Sequence, residues 1–107
     1  MKRYEIHWCR LNPVEGSEMG KARPVVIVSK DVLNEKLATV TVCPITSQRH
    51  HGWRTRLAVI CAGRPAEIAV DHIRTVSKLR LGPRIGALSD IEAERLRQII
   101  AEMYAEV

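Results

Sequence analysis

The sequence predicts a small α+β domain, mostly β, in which short strands curl into a barrel or strongly bent sheet closed by one amphipathic C-terminal helix. Two observations carry this. From Glu5 to Val76 the apolar residues recur in short alternating or β-branched runs separated by polar loops, whereas after Ser89 they recur at helical spacing. The chain of 107 residues is 46% apolar and 27% charged, which suits one core and a single domain over 1–107. It holds no repeat, linker or low-complexity tract.

Glu5 to Leu11 alternates, setting Ile6, Trp8 and Arg10 on one side and His7, Cys9 and Leu11 on the other, and reads as the first strand. Arg23 to Ser29 contains Val25-Val26-Ile27-Val28, a run suited to a strand covered on both faces. Ser29 to Asn34 reads as a short helical turn. Thr39 to Ile45 alternates as a third strand, with Pro44 near its end, where a missing donor is tolerated. Arg56 to Cys61 and Glu67 to Val76 supply further strands, the second bent or broken near Asp71. Ser89-Asp90-Ile91-Glu92 fits a capping box. Leu96, Ile99, Ile100, Met103 and Val107 then form the apolar stripe of a helix, as core or as a dimer seam, with Glu94, Arg95, Arg97 and Glu102 on the wet side.

No run of 18 apolar residues is present, and MKRYEIHWCRLNP has no apolar segment of the signal-peptide kind. The expectation is a cytoplasmic protein without membrane contact. Cys9, Cys43 and Cys61 are widely spaced and odd in number, so they read as reduced thiols packed as small apolar groups, with no metal site. Lys and Arg total 17 against 12 Asp and Glu, a formal net charge of +5, which suits a polyanionic partner.

The charge collects in three expected loops: Asn12 to Arg23, Thr46 to Arg56, and Arg74 to Arg84 with Lys78 and Arg80. The second packs Arg49, Arg54 and Arg56, the pair His50-His51, two threonines and Trp53 into eleven residues. Arginines neutralise phosphates and a tryptophan offers a stacking face, a mixture suited to single-stranded nucleic acid. A solvated hairpin tip with Trp53 folded back on the barrel would give the same composition. Adjacent histidines invite an acid–base pair, but on a strand they would point opposite ways.

The chain resembles the MazF/PemK toxins of type II toxin–antitoxin systems. The resemblance runs through Trp8 with Leu11-Asn12-Pro13, Gly16-Ser17-Glu18 followed by Arg23-Pro24-Val25-Val26, Pro44-Ile45-Thr46-Ser47, Ile73-Arg74-Thr75-Val76 with Lys78 and Arg80-Leu81, and Ile85-Gly86 with Leu88-Ser89. It implies an SH3-like barrel of the CcdB/MazF type, a homodimer, and a cofactor-free, metal-independent endoribonuclease, often called an mRNA interferase. Such an enzyme cuts single-stranded RNA at a short sequence and leaves 2′,3′-cyclic phosphate and 5′-hydroxyl ends. It also implies a MazE-like antitoxin whose acidic tail lies over the basic groove.

Carried onto this chain, the resemblance gives Arg23 and Thr46 the central catalytic roles, with Glu18 or Asp71 accepting the 2′ proton. Ser47, Gln48, Arg49, Trp53, Arg54, Arg74, Lys78 and Arg80 are the expected RNA-binding residues. A guanidinium with pKa above 12 is a poor proton donor, so Arg23 suits charge stabilisation and Thr46 the orienting of an oxygen. Three positions depart from the family: Lys21 where many relatives carry glycine, Ala69 where some carry arginine, and Ser77 where aspartate is usual. The competing reading is a CcdB-like poison that binds DNA gyrase and cuts nothing; the ending Tyr104-Ala105-Glu106-Val107 lacks the Trp-Gly-Ile of that branch.

Overall fold

The structure is a computed structural model and describes residues 1–11 and 21–105. In chain order these form β1 (Glu5–Arg10), β2 (Ala22–Ile27), α1 (Asp31–Lys36), β3 (Thr39–Thr46), β4 (Arg56–Cys61), β5 (Arg64–Ala69), β6 (Arg74–Ser77), β7 (Leu81–Ala87) and α2 (Asp90–Tyr104). The strands make one curled antiparallel sheet in the order β4-β5-β3-β2-β1-β7, with β6 also on β3. No helix of the described residues is long and apolar enough to cross a membrane.

The hub is β3. It pairs with β2 along one edge, while its other edge is shared: residues 39–42 take β6, and Ile45 and Thr46 take β5. Between those two strands the chain makes a single 3-10 turn, Val70–His72, the break expected near Asp71. Pro44 falls at the junction where β3 changes partner, so its missing donor interrupts neither short ladder.

The curl gives the sheet two apolar faces. Val26 and Val28 join Cys43, Ile45, Leu57, Ile68 and Leu96 on one, while Val25 and Ile27 join Cys9, Leu11, Val40, Val42 and Val76 on the other. Residues 25–28 are thus covered on both sides, as their continuous apolar run predicts. The α2 stripe is core: Leu96 is wholly buried, and Ile99, Ile100 and Met103 pack against the same cluster. Val107 lies outside the described residues.

The capping box forms. Ser89 Oγ accepts the Glu92 N–H at 3.2 Å, and Glu92 Oε1 accepts the Ser89 N–H at 2.9 Å. Ser89→Ala should therefore cost about 1 kcal/mol in chemical denaturation, and an unchanged midpoint would show that the cap contributes nothing.

Two boundaries differ from the sequence expectation. The fifth strand starts at Arg64, not Glu67, because Ala62 and Gly63 both take positive φ (52° and 77°) and close a two-residue hairpin. The charged segment Arg74 to Arg84 is no loop: it holds β6, a 3-10 turn at Lys78–Arg80, and much of β7. Gly82, Pro83 and Gly86 hide β7 from a propensity reading. Tertiary partners supply what propensity lacks. A Cβ at Gly82 would sit 3.3 Å from Trp8 Cβ, so glycine permits the close approach of β7 to β1. Buried His7 bridges the two strands, with Nδ1 3.0 Å from the Gly82 carbonyl oxygen and Nε2 3.0 Å from Glu5 Oε1. That bond, helped by the Lys2 N–H, holds the Glu5 carboxyl down at about 2.

Candidate nucleic-acid interface

The site is built at the end of the sheet where β2 begins and β3 stops. β2 pairs with β3 as Val25 with Pro44 and Val26 with Cys43, a ladder that stops two residues short of Arg23 and of Thr46. On either side Cys9 pairs with Arg23 and Glu67 with Thr46. Directly opposed residues share a face, so Cys9 goes with Arg23 and Glu67 with Thr46, and Arg23 and Thr46 both line one groove.

Thr46 is buried, and its hydroxyl oxygen accepts the Gln48 N–H at 3.1 Å. That bond fixes the oxygen and leaves the hydroxyl proton to donate; among the described residues it has no acceptor. Arg23, half-buried, stands beside a groove of about 370 Å³ that takes in Thr46, Ser47, Arg64 and the apolar surfaces of Trp8, Pro24, Ile45 and Ile85.

Other arginines converge on the Cys9 position. Burial pushes the Cys9 thiol up, and the positive charges of Arg80, Arg74 and Arg10 act against that rise, which places all three within electrostatic reach of the residue opposite Arg23. The three make a cationic rim around Cys9, and none of them lines the groove of Arg23 and Thr46. Arg10 belongs to it unannounced by the sequence reading, although its place two residues before Asn12 on an alternating strand was a usable signal.

The segment between β3 and β4 is held from below. Arg56 donates to Asp71 through two nitrogens, Nε to Oδ1 at 2.8 Å and Nη2 to Oδ2 at 3.3 Å. Its Nη1 lies 3.6 Å from Glu67 Oε1, and both of those side chains are only 5% exposed. The same Glu67 oxygen accepts the His50 N–H at 2.9 Å. Above them His50 stacks on Trp53, ring centres 3.9 Å apart, and the Arg56 guanidinium lies 5.1 Å from the Trp53 ring centre. Burial raises the Asp71 carboxyl, but the Arg56 hydrogen bond, its own backbone N–H, the Arg56 charge and Thr55 outweigh that and leave it below the usual range.

Arg23, Thr46 and Ser47 come together at the groove, and Gln48 joins them through its N–H. Arg74 and Arg80 stand on the rim, with Lys78 on the same 3-10 turn as Arg80. Arg49 borders a second groove with His51, Ile60 and Glu92. Arg54 is ion-paired with Glu102 of α2, and one face of Trp53 is covered by His50. Asp71 does not line the Arg23 groove and is engaged by Arg56. Glu18 lies outside the described residues. Of the thiols, Cys9 and Cys43 are buried, the latter pushed up to about 12 by burial, whereas Cys61 at a strand end is half-buried on the groove. Among the described residues no cluster of three His, Cys, Asp or Glu could hold a metal.

The family model for PemK-like, MazF-like toxins of type II toxin–antitoxin systems matches residues 2–104. The chain belongs to that family. It is 34% identical over 95 residues to Endoribonuclease EndoA of Bacillus subtilis (strain 168), covering 84% of this chain and 82% of that protein. It is 30% identical over 97 residues to Endoribonuclease MazF3 of Mycobacterium tuberculosis (strain ATCC 25618 / H37Rv), covering 88% of this chain and 93% of that one. In three dimensions it is similar to the Mycobacterium tuberculosis toxin MazF-mt6, with a TM-score of 0.78 at 30% identity over 92% of this chain and 93% of that one. The PemK/MazF fold thus extends over the whole described sheet and α2.

Proposed function

We propose that this PemK/MazF-family chain is an endoribonuclease toxin that cuts single-stranded RNA by attack of a ribose 2′-hydroxyl on the adjacent phosphorus. The new O–P bond closes a 2′,3′-cyclic phosphate while the bond to the 5′ oxygen breaks. The 2′ proton leaves to a base, and the departing oxygen takes a proton to become a 5′-hydroxyl. Arg23 holds the phosphate with its planar fork and offsets the charge that grows on it. Thr46, its oxygen already fixed by Gln48, donates its hydroxyl proton to a phosphate oxygen and holds the group for in-line attack.

A carboxylate held low by a bidentate arginine is a weak base near neutral pH, so the proton acceptor is assigned to Glu18 over Asp71. Arg10, Arg74, Lys78 and Arg80 bind flanking phosphates on the rim, and residues 47–54 meet the bases. The active unit is a homodimer that needs neither metal nor cofactor. Its restraint is a MazE-like antitoxin with an acidic tail laid over the rim and the loop, in competition with RNA.

One observation supports this reading above the others: Arg23 and Thr46 line the same groove, together with Ser47 and Arg64. The test is cleavage in EDTA of a long RNA and of a matched single-stranded DNA, with the ends mapped and identified. RNA-only cuts sharing a short motif and ending in cyclic phosphate are expected. Intact RNA across varied sequences, from protein that remains toxic when expressed, would move the assignment to a poison that cuts nothing.

A further inference from the structure

We propose that Arg56, gripped by Asp71 and Glu67, is a positioning residue that sets the shape of the 47–55 loop and thereby which RNA sequence is cut; the inference rests on the endoribonuclease reading above. Three features favour a frame over a phosphate contact. Arg56 is 5% exposed, and its fork is spent on Asp71. The trio carries one positive and two negative groups, a net charge that repels phosphate. Its remaining contacts go to the loop itself: Glu67 takes the His50 N–H, and Arg56 lies against Trp53.

These contacts bind the loop at several points. The Trp53 N–H donates to the His50 carbonyl, the Arg56 N–H to the Trp53 carbonyl, and the Val70 N–H to the Thr55 carbonyl, at 3.2, 3.3 and 3.0 Å. The rings of His50 and Trp53 stack, which closes the loop on itself. Gln48, Arg49, His51 and Arg54 are then presented outward from a fixed base. Glu67 is also the register partner of Thr46. One buried carboxylate therefore ties the loop that meets the bases to the strand end that meets the scissile phosphate.

Burying the Arg56 and Glu67 side chains costs desolvation that apolar residues of equal volume would avoid. A fixed geometry is the return on that cost. A loop of eight or nine residues tethered only at its ends would sample many shapes, and base discrimination needs side chains held to within a fraction of an ångström.

The test uses the full chain with Glu67→Gln and Arg56→Lys. The first removes a charge but keeps an amide oxygen for the His50 N–H; the second keeps the charge but loses the fork. Both are assayed on a randomised RNA pool and, under single-turnover conditions, on the preferred site and its one-base variants. The two indole N–H signals, assigned with Trp53→Phe, report the loop by NMR. Folded variants that still cut, discriminate at least tenfold less between sites and shift the Trp53 indole are expected, and Asp71→Asn should behave like Arg56→Lys. The inference is overturned if discrimination is unchanged. It is equally overturned if Asp71→Asn stops cleavage at every sequence and removes a limb of the pH–rate profile, because Asp71 would then be the base. A wild type that cuts no RNA overturns the proposed function and this inference with it, whereas equal selectivity in wild type and variants overturns the inference alone.

Discussion

Replacing Arg23 with alanine is expected to lower RNA cleavage by about 10²–10³-fold, the loss seen when one preorganised charge stabiliser is removed from a reacting centre. The expectation follows from position. Arg23 is the second residue of β2, pairs with Cys9 and lines one groove with Thr46, and three further arginines act on Cys9. Those arginines can hold RNA in the absence of Arg23, so binding should weaken far less than the chemical step. Arg23→Lys should fall between, since an ammonium keeps the charge but cannot hold two oxygens in one plane. Single-turnover rates at saturating protein separate the two effects. Wild-type rates in a folded Arg23→Ala protein would remove Arg23 from the chemistry altogether.

Leu96→Ala is expected to destabilise the protein by about 2–5 kcal/mol. Leu96 is wholly buried and is the α2 residue built into the cluster of Val26, Cys43, Ile45 and Ile68. The helix has little else as deep, since Ile99, Ile100 and Met103 are only partly buried. Domains of this size have about 5–15 kcal/mol in total, so the loss would be a large share of the stability. Ile91, on the same helix but 68% exposed, is the control: Ile91→Ala should stay within about 0.5 kcal/mol. Urea titrations of both variants decide it, and equal midpoints would mean that α2 is not anchored through Leu96.

The fold class and most strands were legible because their signals are local. Residues 25–28 announced a strand covered on both faces, and Ser89 with Glu92 announced the helix start. β7 was not legible, because its strand character comes from β1 and not from its own glycines and proline. At the candidate site the meeting of Arg23 and Thr46 at one groove could be expected only through a family resemblance, since it depends on how separate strands are placed. Glu67 was passed over as the first residue of a strand, although a carboxylate next to Ile-Ala-Val already asked for a buried partner. Lys21 shows the opposite case. The resemblance leads one to expect glycine there, and Lys21 takes the left-handed φ of 64° that glycine adopts without strain. Its carbonyl accepts the Leu11 N–H at 3.1 Å, which ties the backbone at that point to the end of β1.

The pairing of β1 with β7 has a consequence during synthesis. β1 lies between β2 and β7, so one of its edges waits for a partner made nearly at the end of the chain. The Arg23–Thr46 strand end, by contrast, joins elements made early. A nascent chain that has emerged only through β3 holds both of the side chains proposed to act on the phosphate but lacks the ladder that fixes β1 behind them. Long-range closures of this kind are slow and come late in folding. The topology therefore predicts that the site becomes rigid only once the last strand has left the ribosome.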